Sequence, residues 1–455
     1  MIMLASMFTC INNIDALSLE ETLTATYTNN QSIKASQQLF LREIEQFPQA
    51  LADFLPNISA QIKTTNSKQK VDSSEFVTRK NPSSSVGPDV SRSITITQNI
   101  FSGGSSVLGL KVAQSKFWIS RSTLYKAEQD MLGNAVEVYL NVCQARENYK
   151  IANDSWVFGK QSLEMVEEKL KVGEATITEL SLAKANFASA EAQKSAQYAN
   201  LISTYAQFRT ITGLDPDENM ELPKIAEGLP ENKEALESIV NKSNLDLINA
   251  KYSKIQAEYS VKAAAAGLLP EASIQLSAEK DYYRPASHPS TGSSRQNSMS
   301  YSTALVVNIP IFSRGGVEYS NIRGQKKASR QAVYGLEYVE RQIKAQIINL
   351  WESFMASKDS IYHVDQAVEA QTMALDGLRQ QYSVGSATML DVLKSQQDLN
   401  DSKARAIDTK KKYILNSYQL KDLMGQMTAS QLKLNVKYFS PEQEFRRVKH
   451  KVIGF

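Results

Sequence analysis

The sequence has little cysteine, histidine, proline or glycine, and these shortages limit what the protein can be. Its 455 residues include only 2 cysteines, 3 histidines, 12 prolines and 19 glycines. Cys10 and Cys143 supply neither a disulfide framework nor a CxxC metal pair, and the histidines are too scattered for a typical metal site. A chain with so few helix-breaking residues can form long uninterrupted helices.

Motifs for catalysis and for cofactor binding are also missing. The sequence contains no HExxH, no phosphate-binding loop after a strand and no GxSxG element. We therefore expect no catalytic residue, no metal and no cofactor, and we expect that the protein is not an enzyme. Its formal net charge of +3 lacks the basic excess of a dedicated nucleic-acid-binding protein.

Long hydrophobic runs are scarce as well. Residues 1–16 (MIMLASMFTCINNIDA) are apolar and uncharged up to Asp15, which is typical of the core of a secretory signal peptide, although the positive residues that normally precede such a core are lacking. Elsewhere no run of about 18 apolar residues occurs, so a membrane-spanning helix is not expected. If the protein crosses a membrane, it must use β-strands.

A long tandem repeat relates the two halves of the sequence. KVGEATITEL at 171–180 matches SVGSATMLDV at 383–392, and the offset is 212 residues, from 385 minus 173. At this offset the match runs without a gap from 173–213 to 385–425. Upstream, FLPNISAQI and NIFSGG in the first half match LLPEASIQL and PIFSRGG in the second. Both halves should therefore form the same supersecondary unit.

Each half has the pattern of a very long helix followed by a shorter one. Apolar residues recur every seven positions from Ala135 to Leu170, and again from Ile347 to Tyr382, which is typical of a left-handed coiled coil. A long helix of this kind measures about 100 Å, and each shorter helix about 50 Å. We therefore expect a long helical cylinder rather than a compact globule. The predicted helices are 18–50, 106–170, 178–212, 234–267, 316–382 and 389–424.

Four segments alternate between apolar and polar residues, as half-buried strands do. This alternation fits a soluble sandwich and also a membrane barrel, and the secretory leader favours the barrel. Membrane barrels start at about eight strands, because an open edge leaves backbone groups unpaired in lipid. Several copies must then share one barrel. The strands lie near 58–62, 93–97, 272–278 and 300–311, and the polar stretches 67–91 and 284–297 are expected to be exposed hairpin loops.

The repeated VG-x-A-T phrase predicts a helical hairpin whose second helix is capped. Gly173 and Gly385 permit a tight reversal, because glycine tolerates positive φ. Thr176 and Thr388 suit an N-cap, and an acid three residues later completes a capping box. The two acids are Glu179 and Asp391.

Two glycine pairs follow the second and fourth predicted strands. A ligand-binding loop is one interpretation of such a pair. A strand-to-helix switch, where the backbone bends sharply, explains them better. The residues are Gly103, Gly104, Gly315 and Gly316.

The sequence resembles the TolC family of outer-membrane efflux and export ducts. The resemblance covers 17–427 and is carried by the duplication, the LPNIS and LPEAS strand starts, the IFSGG and IFSRGG strand ends and the two VG-x-A-T turns. It implies an α+β membrane protein in which a long coiled-coil α-barrel is continuous with an outer-membrane β-barrel. The assembly is a trimer, and each chain is built from two tandem repeats.

The resemblance and the repeat together divide the chain into five segments. A signal peptide is followed by a first repeat, an equatorial linker, a second repeat and a C-terminal tail. The last part of the tail, 444–455 (EFRRVKHKVIGF), is basic and has no periodicity, so we expect it to be loosely ordered. The five segments are 1–16, 17–213, 214–233, 234–425 and 426–455.

The function implied by the resemblance is a passive exit channel for multidrug efflux or type I protein secretion. It would lie in the outer membrane of a Gram-negative bacterium and extend into the periplasm. The implied partners are two further copies in a homotrimer, a periplasmic adaptor (membrane fusion) protein, an inner-membrane efflux pump or ABC exporter, and outer-membrane lipid, with no nucleic acid. From the residues alone, a soluble coiled-coil scaffold is the competing hypothesis.

The resemblance also implies roles for residues at the hairpin tips. In the family, the second tip carries two acids, one turn apart, that ring the closed entrance. Asp391 matches the first, but Lys394 stands at the second, so the ring would be nearly neutral. Capping of the following helix is by itself a sufficient explanation for an acid at Asp391. One carboxylate can also cap the helix and line the entrance at the same time.

A latch between neighbouring helices is the second role that the resemblance implies. Tyr382 and Glu179 match one family pair, in which a phenol donates to a carboxylate. Ala387 stands where the family has an arginine in a second link. We therefore expect a looser closed state.

Overall fold

The computed structural model describes residues 17–68, 86–217, 219–283, 296–312, 314–451 and 454. The predicted signal peptide and most of the two predicted hairpin loops lie outside these residues. The described helices are α1 (Leu19–Asn29), α2 (Gln31–Ile44), α3 (Gln46–Ala52), α4 (Ser105–Lys171), α5 (Ile177–Thr212), α6 (Lys233–Ser243), α7 (Leu245–Ala266), α8 (Val317–Ser383), α9 (Met389–Leu423) and α10 (Pro441–Val448). The described strands are β1 (Asn57–Lys68), β2 (Val86–Ser102), β3 (Glu271–Tyr283) and β4 (Gln296–Asn308), and a 3₁₀ turn covers Arg314–Gly316.

The two repeats have the same pattern of long and shorter helices, as predicted. The long helices α4 and α8 each contain 67 residues, and α5 and α9 contain 36 and 35. The predicted bounds of these four helices agree with the structure to within one residue, because heptad periodicity and the near absence of helix breakers are local signals. Among the described helices, none has an apolar stretch long enough to cross a membrane.

The helices that lead into each repeat are broken, whereas the sequence predicted one continuous helix in each case. Asn30 ends α1 in an extended conformation, and its Oδ1 accepts a hydrogen bond from the Ser32 N–H at 2.8 Å. Its Nδ2 donates to the carbonyl of Ile211, in the last turn of α5, at 2.9 Å. The break is therefore stabilised both by a local hydrogen bond to Ser32 and by the end of a helix that is distant in sequence.

Asn244 repeats this arrangement in the second half. It ends α6 in the same extended conformation, its Oδ1 accepts from the Leu247 N–H at 3.0 Å, and its Nδ2 donates to the carbonyl of Leu423 at 3.0 Å. The two carbonyl acceptors, of Ile211 and Leu423, are 212 residues apart, which is the repeat offset. The helix break is thus a conserved part of the repeated unit within this chain.

One compact unit takes in the described residues of Met1–Phe40, Arg121–Asn249 and Glu337–Ser440. Its core is centred on the middle of α4, where the heptad residues Ala135 and Val142 are fully buried. Met220 from the predicted linker also packs into this core. So do residues that follow the second repeat, namely Met427, Ala429 and Leu434.

A second compact unit takes in the described residues of Leu41–Ser120, Ala250–Leu336 and Pro441–Phe455. It contains one antiparallel sheet in the order β1-β2-β3-β4. β1, β2 and β3 extend beyond the predicted alternating segments at both ends, since pairing continues into the polar flanks. β4 also begins earlier than predicted, but it ends at Asn308, so the strand predicted for 309–311 is wrong; Pro310 has no N–H to donate to a neighbouring strand. The register shifts between Asn99 and Phe101, where β2 pairs with β3.

The end of the chain is more ordered than the sequence suggested. The expectation that 444–455 are loosely ordered is wrong for 444–448, which lie in α10. The Phe445 ring stacks on Phe117 with 4.1 Å between centroids and meets Phe47 edge-to-face at 5.0 Å. Pro441, Phe445 and Val448 share one helix face, but two turns are too short to give a detectable periodicity.

Candidate functional site

The two hairpin turns have the same backbone geometry. After α4, the Gly173 N–H donates to the Leu170 carbonyl at 3.1 Å, and the Glu174 N–H donates to the Lys169 carbonyl at 2.9 Å. The corresponding bonds after α8 measure 3.1 and 2.9 Å. Gly173 and Gly385 have φ values of 82° and 78°, so the predicted left-handed conformation is confirmed. The pattern is a Schellman motif, which satisfies the last carbonyls of the helix.

A capping box opens the second helix of each hairpin, as predicted. The Glu179 carboxylate accepts from the Thr176 N–H at 2.8 Å, and the Thr176 hydroxyl accepts from the Glu179 N–H at 3.2 Å. The corresponding distances for Asp391 and Thr388 are 3.0 and 3.2 Å. The hydrogen bonds from Thr388 lower the pKa of Asp391, which keeps its carboxylate charged.

The second tip exposes both residues assigned to the pore ring. Asp391 and Lys394 are exposed and lie one turn apart on α9. Among the described contacts they form no salt bridge, although the charge of Lys394 contributes a little to the low pKa of Asp391. A carboxylate that is both charged and exposed is free to face a pore while it caps its own helix.

The two hairpins pack together near their tips through an apolar cluster. Lys169 lies over the Tyr382 ring, with its Nζ 4.4 Å from the ring centroid, and Arg379 lies over the Phe158 ring at 4.7 Å. These contacts join the first repeat to the second. The buried members of the cluster are Val166, Ala183, Leu375, Tyr382, Met389, Val392 and Leu399.

Tyr382 and Glu179, the predicted latch, are neighbours that do not hydrogen-bond within the described chain. The Glu179 carboxylate is occupied by its capping box, and the Tyr382 side chain is only 8% exposed. Burial raises the pKa of the Tyr382 phenol, and the negative charge of Glu179 raises it further. The phenol therefore stays protonated and keeps its donor hydrogen.

Both predicted strand-to-helix switches contain glycines with left-handed φ values. These are 62° and 86° for Gly103 and Gly104, and 66° and 86° for Gly315 and Gly316. A Cβ at Gly103 would lie 2.5 Å from the Ala266 carbonyl oxygen, whereas a Cβ at Gly315 would meet no described atom within 4 Å. Close packing therefore requires glycine at the first switch, and backbone conformation alone favours it at the second.

The sheet has one apolar and one polar face across all four strands, which confirms the predicted alternation. The pairing aligns Ile58 with Ile96, Ile96 with Leu276, and Leu276 with Thr303. Large apolar side chains on this face are exposed to an unusual degree, including Ile62 and Tyr301 at 74% each. The apolar face carries Ile58, Ala60, Ile62, Ile94, Ile96, Ile274, Leu276, Ala278, Tyr301, Leu305 and Val307, and the polar face carries Ser59, Gln61, Ser93, Thr95, Gln275, Ser277, Ser300 and Ser302.

A buried carboxyl group in α4 is a feature that sequence reasoning missed. Glu128 accepts a hydrogen bond from the Ala429 N–H at 2.7 Å. Burial raises the pKa of Glu128 to about 7, and the hydrogen bond offsets part of that rise. Acids within a long helix are usually solvated, so no local signal could have identified it. Across the part of the chain that the structure describes, no cluster of three or more His, Cys, Asp or Glu side chains is arranged to hold a metal ion.

Comparison with known protein families gives a match in each half of the chain. The sequence profile of the family described as "Outer membrane efflux protein" matches residues 23–214 and 237–426. The chain belongs to this family. The predicted resemblance to outer-membrane efflux ducts is thereby confirmed, and the location is the outer membrane.

Two named relatives in this family extend over most of the chain. The chain is 26% identical over 441 residues to "Outer membrane efflux protein BepC" of Brucella suis biovar 1 (strain 1330), covering 96% of this chain and 92% of BepC. It is 26% identical over 353 residues to "Outer membrane protein TolC" of Escherichia coli (strain K12), covering 75% and 70%.

Solved structures of outer-membrane channels share the fold. The Campylobacter jejuni CmeC outer membrane channel superimposes with a TM-score of 0.76 at 16% identity, covering 95% of this chain and 89% of CmeC. CusC gives a TM-score of 0.76 at 15% identity, covering 90% and 92%. Together with the two family matches, these likenesses confirm the predicted fold class, an α+β membrane protein built from two tandem repeats.

Proposed function

We propose that three copies of this chain form a passive exit channel, with a β-barrel in the outer membrane and a helical tube that extends into the periplasm. The channel carries small molecules in multidrug efflux or proteins in type I secretion. An inner-membrane efflux pump or ABC exporter supplies the energy, and a periplasmic adaptor protein joins the two. Membership of a family described by efflux supports this proposal.

The two-faced sheet is the observation that carries the proposal. β1 and β4 form its edges, and within the described chain neither has a second strand partner. An exposed apolar face is unfavourable in water. An open edge is unfavourable in lipid, because its backbone N–H and C=O groups have no hydrogen-bond partner there. Pairing β4 of one copy with β1 of the next removes every edge, and three copies of four strands give a barrel of twelve.

Exposure of apolar side chains on α8 supports the same assembly. Val136 in α4 is fully buried, but its repeat counterpart Ile348 in α8 is 48% exposed. Tyr362 and Met373, also on α8, are 68% and 62% exposed. Helices from a neighbouring copy would cover this surface in a closed ring of helices.

The experiment that tests the proposal is purification from outer membranes followed by measurement of mass and conductance. We expect the protein to require detergent, to have the mass of three chains by native mass spectrometry, and to conduct ions in planar bilayers. A monomer that stays soluble without detergent would exclude the channel and favour the coiled-coil scaffold.

Replacing Asp391 with asparagine is expected to shift the selectivity of the channel several-fold from cations towards anions. In the wild type Lys394 offsets the Asp391 carboxylate and the ring is nearly neutral, whereas in this variant only the three Lys394 charges remain. Asparagine keeps an oxygen that can accept from Thr388, so the capping box survives. The measurement is the reversal potential of single channels in a salt gradient.

The matched control for Asp391→Asn is Glu179→Gln, at the corresponding position of the first repeat. It removes the same charge and leaves the same type of cap, since glutamine also completes a capping box. Equal changes in selectivity for the two variants, or none in Asp391→Asn, would show that Asp391 serves only to cap α9.

Replacing Tyr382 with phenylalanine is expected to raise the conductance of the closed channel. We propose that the Tyr382 phenol donates to Glu179 when the trimer closes, and this variant removes only the hydroxyl while the ring still fills the tip cluster. The readout is single-channel conductance before any partner is added. If conductance in both Tyr382→Phe and Glu179→Ala equals that of the wild type, this pair is not a latch.

A further inference from the structure

The apolar face of the sheet ends in a pair of cations. Arg92 in β2 and Lys280 in β3 are directly paired across the two strands, and both side chains are exposed. Tyr282, two residues beyond Lys280 on the same face, lies between them. The Arg92 Cζ is 5.4 Å from the Tyr282 ring centroid, and the Lys280 Nζ is 5.3 Å from it. Both cations therefore gather around one aromatic ring.

Charges of opposite sign are segregated onto opposite faces of β3. Glu279 and Asp281 flank Lys280 in sequence, so they point to the polar face, where Asp281 accepts a hydrogen bond from the Ser298 hydroxyl at 3.4 Å. Among the described residues, Arg92 and Lys280 take part in no salt bridge. Like charges directly opposite on neighbouring strands repel each other. An anion bound between them would relieve that repulsion.

The position of the pair along the strand coincides with one boundary of the apolar band. Lys280 lies nine residues beyond Glu271, the first residue of β3, which is about 30 Å along the strand. At the usual barrel tilt this corresponds to a height of roughly 23 Å, close to the apolar band of about 25 Å in membrane barrels. Tyr301, on the same face of β4, adds an aromatic side chain near this boundary.

We propose that Arg92, Lys280 and Tyr282 form a binding site for a phosphate group of a lipid headgroup in the outward-facing leaflet. This inference rests on the proposed placement of the sheet in the outer membrane. The Arg92 guanidinium can hold two phosphate oxygens, and the Lys280 ammonium supplies a second positive charge. Tyr282 places its ring at the boundary between hydrocarbon and headgroups, where tyrosine is enriched.

The test measures lipid binding to the purified trimer in detergent. The probe is diphosphorylated lipid A, and native mass spectrometry detects the lipid-bound trimer. Trimer mass and conductance of the wild type are measured first, so that a failure of the proposed channel is recognised before lipid is added. The variant is Arg92→Gln with Lys280→Gln. Lys63→Gln is the matched control, because Lys63 is an exposed cation on the polar face of β1.

We expect the double variant to bind the probe about thirtyfold more weakly than the wild type, since each of the two cations near an anionic surface contributes roughly a fivefold step in affinity. Lys63→Gln should bind like the wild type. Lipid A without phosphates should bind the wild-type trimer as weakly as the double variant binds the full probe, a result that does not depend on the folding of any variant.

Three outcomes would overturn the proposal. The first is wild-type affinity in the double variant, and the second is an equal loss in Lys63→Gln, which would indicate a general effect of net charge. The third is displacement of the lipid by an equal concentration of inorganic phosphate, which would identify free phosphate as the ligand.

Discussion

Replacing Gly425 with alanine is expected to prevent the chain from forming a stable trimer. Gly425 has a left-handed φ of 71°, and a Cβ there would lie 2.2 Å from the Ser243 carbonyl oxygen and 3.1 Å from its carbon. The clash is with backbone on both sides, so rotation of a side chain cannot relieve it. We expect a loss of roughly 4 kcal/mol or more of folding free energy.

The surroundings of Gly425 make this overlap hard to relax. The Ser243 hydroxyl donates to the Met424 carbonyl at 2.7 Å, and Asn244 Nδ2 donates to the Leu423 carbonyl at 3.0 Å. Moving Ser243 away from residue 425 would break both bonds. The alanine would therefore either remain strained or disconnect α6 from the end of α9.

Gly213 is the matched control, because it is the repeat counterpart of Gly425. Its φ is 72°, but a Cβ there would meet only the Cβ of Asn29, at an ordinary 3.7 Å. Gly213→Ala should therefore cost only the left-handed strain, about 1–2 kcal/mol. The measurement is the yield of trimer from outer membranes and the temperature at which it dissociates. Equal losses in the two variants would show that conformation, and not packing, governs both sites.

Replacing Leu276 with arginine is expected to block stable insertion of the barrel. Leu276 lies on the apolar face five residues beyond Glu271, which is about 17 Å along the strand and so roughly halfway across the apolar band. An arginine facing lipid at the middle of the bilayer costs about 2–4 kcal/mol. The trimer contains this site three times, so the effect on assembly should be large.

Ser277→Arg provides the control for Leu276→Arg, because the next residue points to the opposite face of the same strand. Its arginine would face the water-filled lumen and should be tolerated. The measurement is the fraction of protein that folds into vesicles, judged by resistance to protease. A greater loss in Ser277→Arg would mean that the polar face contacts lipid, and the proposed orientation of the sheet would be reversed.

Features set by local chemistry were predictable from the sequence. The capping boxes at Thr176 and Thr388, the left-handed glycines at both tips and the bounds of the long helices each depend on residues within a few positions of one another. The two faces of the sheet follow from an alternation of period two, which fixes the side of each residue whatever its partner strand.

Features set by contacts between distant residues were not predictable in this way. The sequence predicted α1 and α2 as one helix, because nothing near Asn30 breaks the pattern, and the carbonyl that its side chain reaches lies at Ile211. The burial of Glu128 depends in the same way on Ala429. The order of α10 depends on Phe47 and Phe117, which are hundreds of residues from Phe445.

The sequence by itself determined the repeat, the helix and strand types and the chemistry of the turns, because these arise from residues close together in the chain. Only the tertiary structure decided where the lead-in helices break. It also decided that Gly425 is tightly packed while its repeat counterpart Gly213 is not, and that Arg92 lies opposite Lys280. Those features depend on the register between segments far apart in sequence, and periodicity carries no information about register.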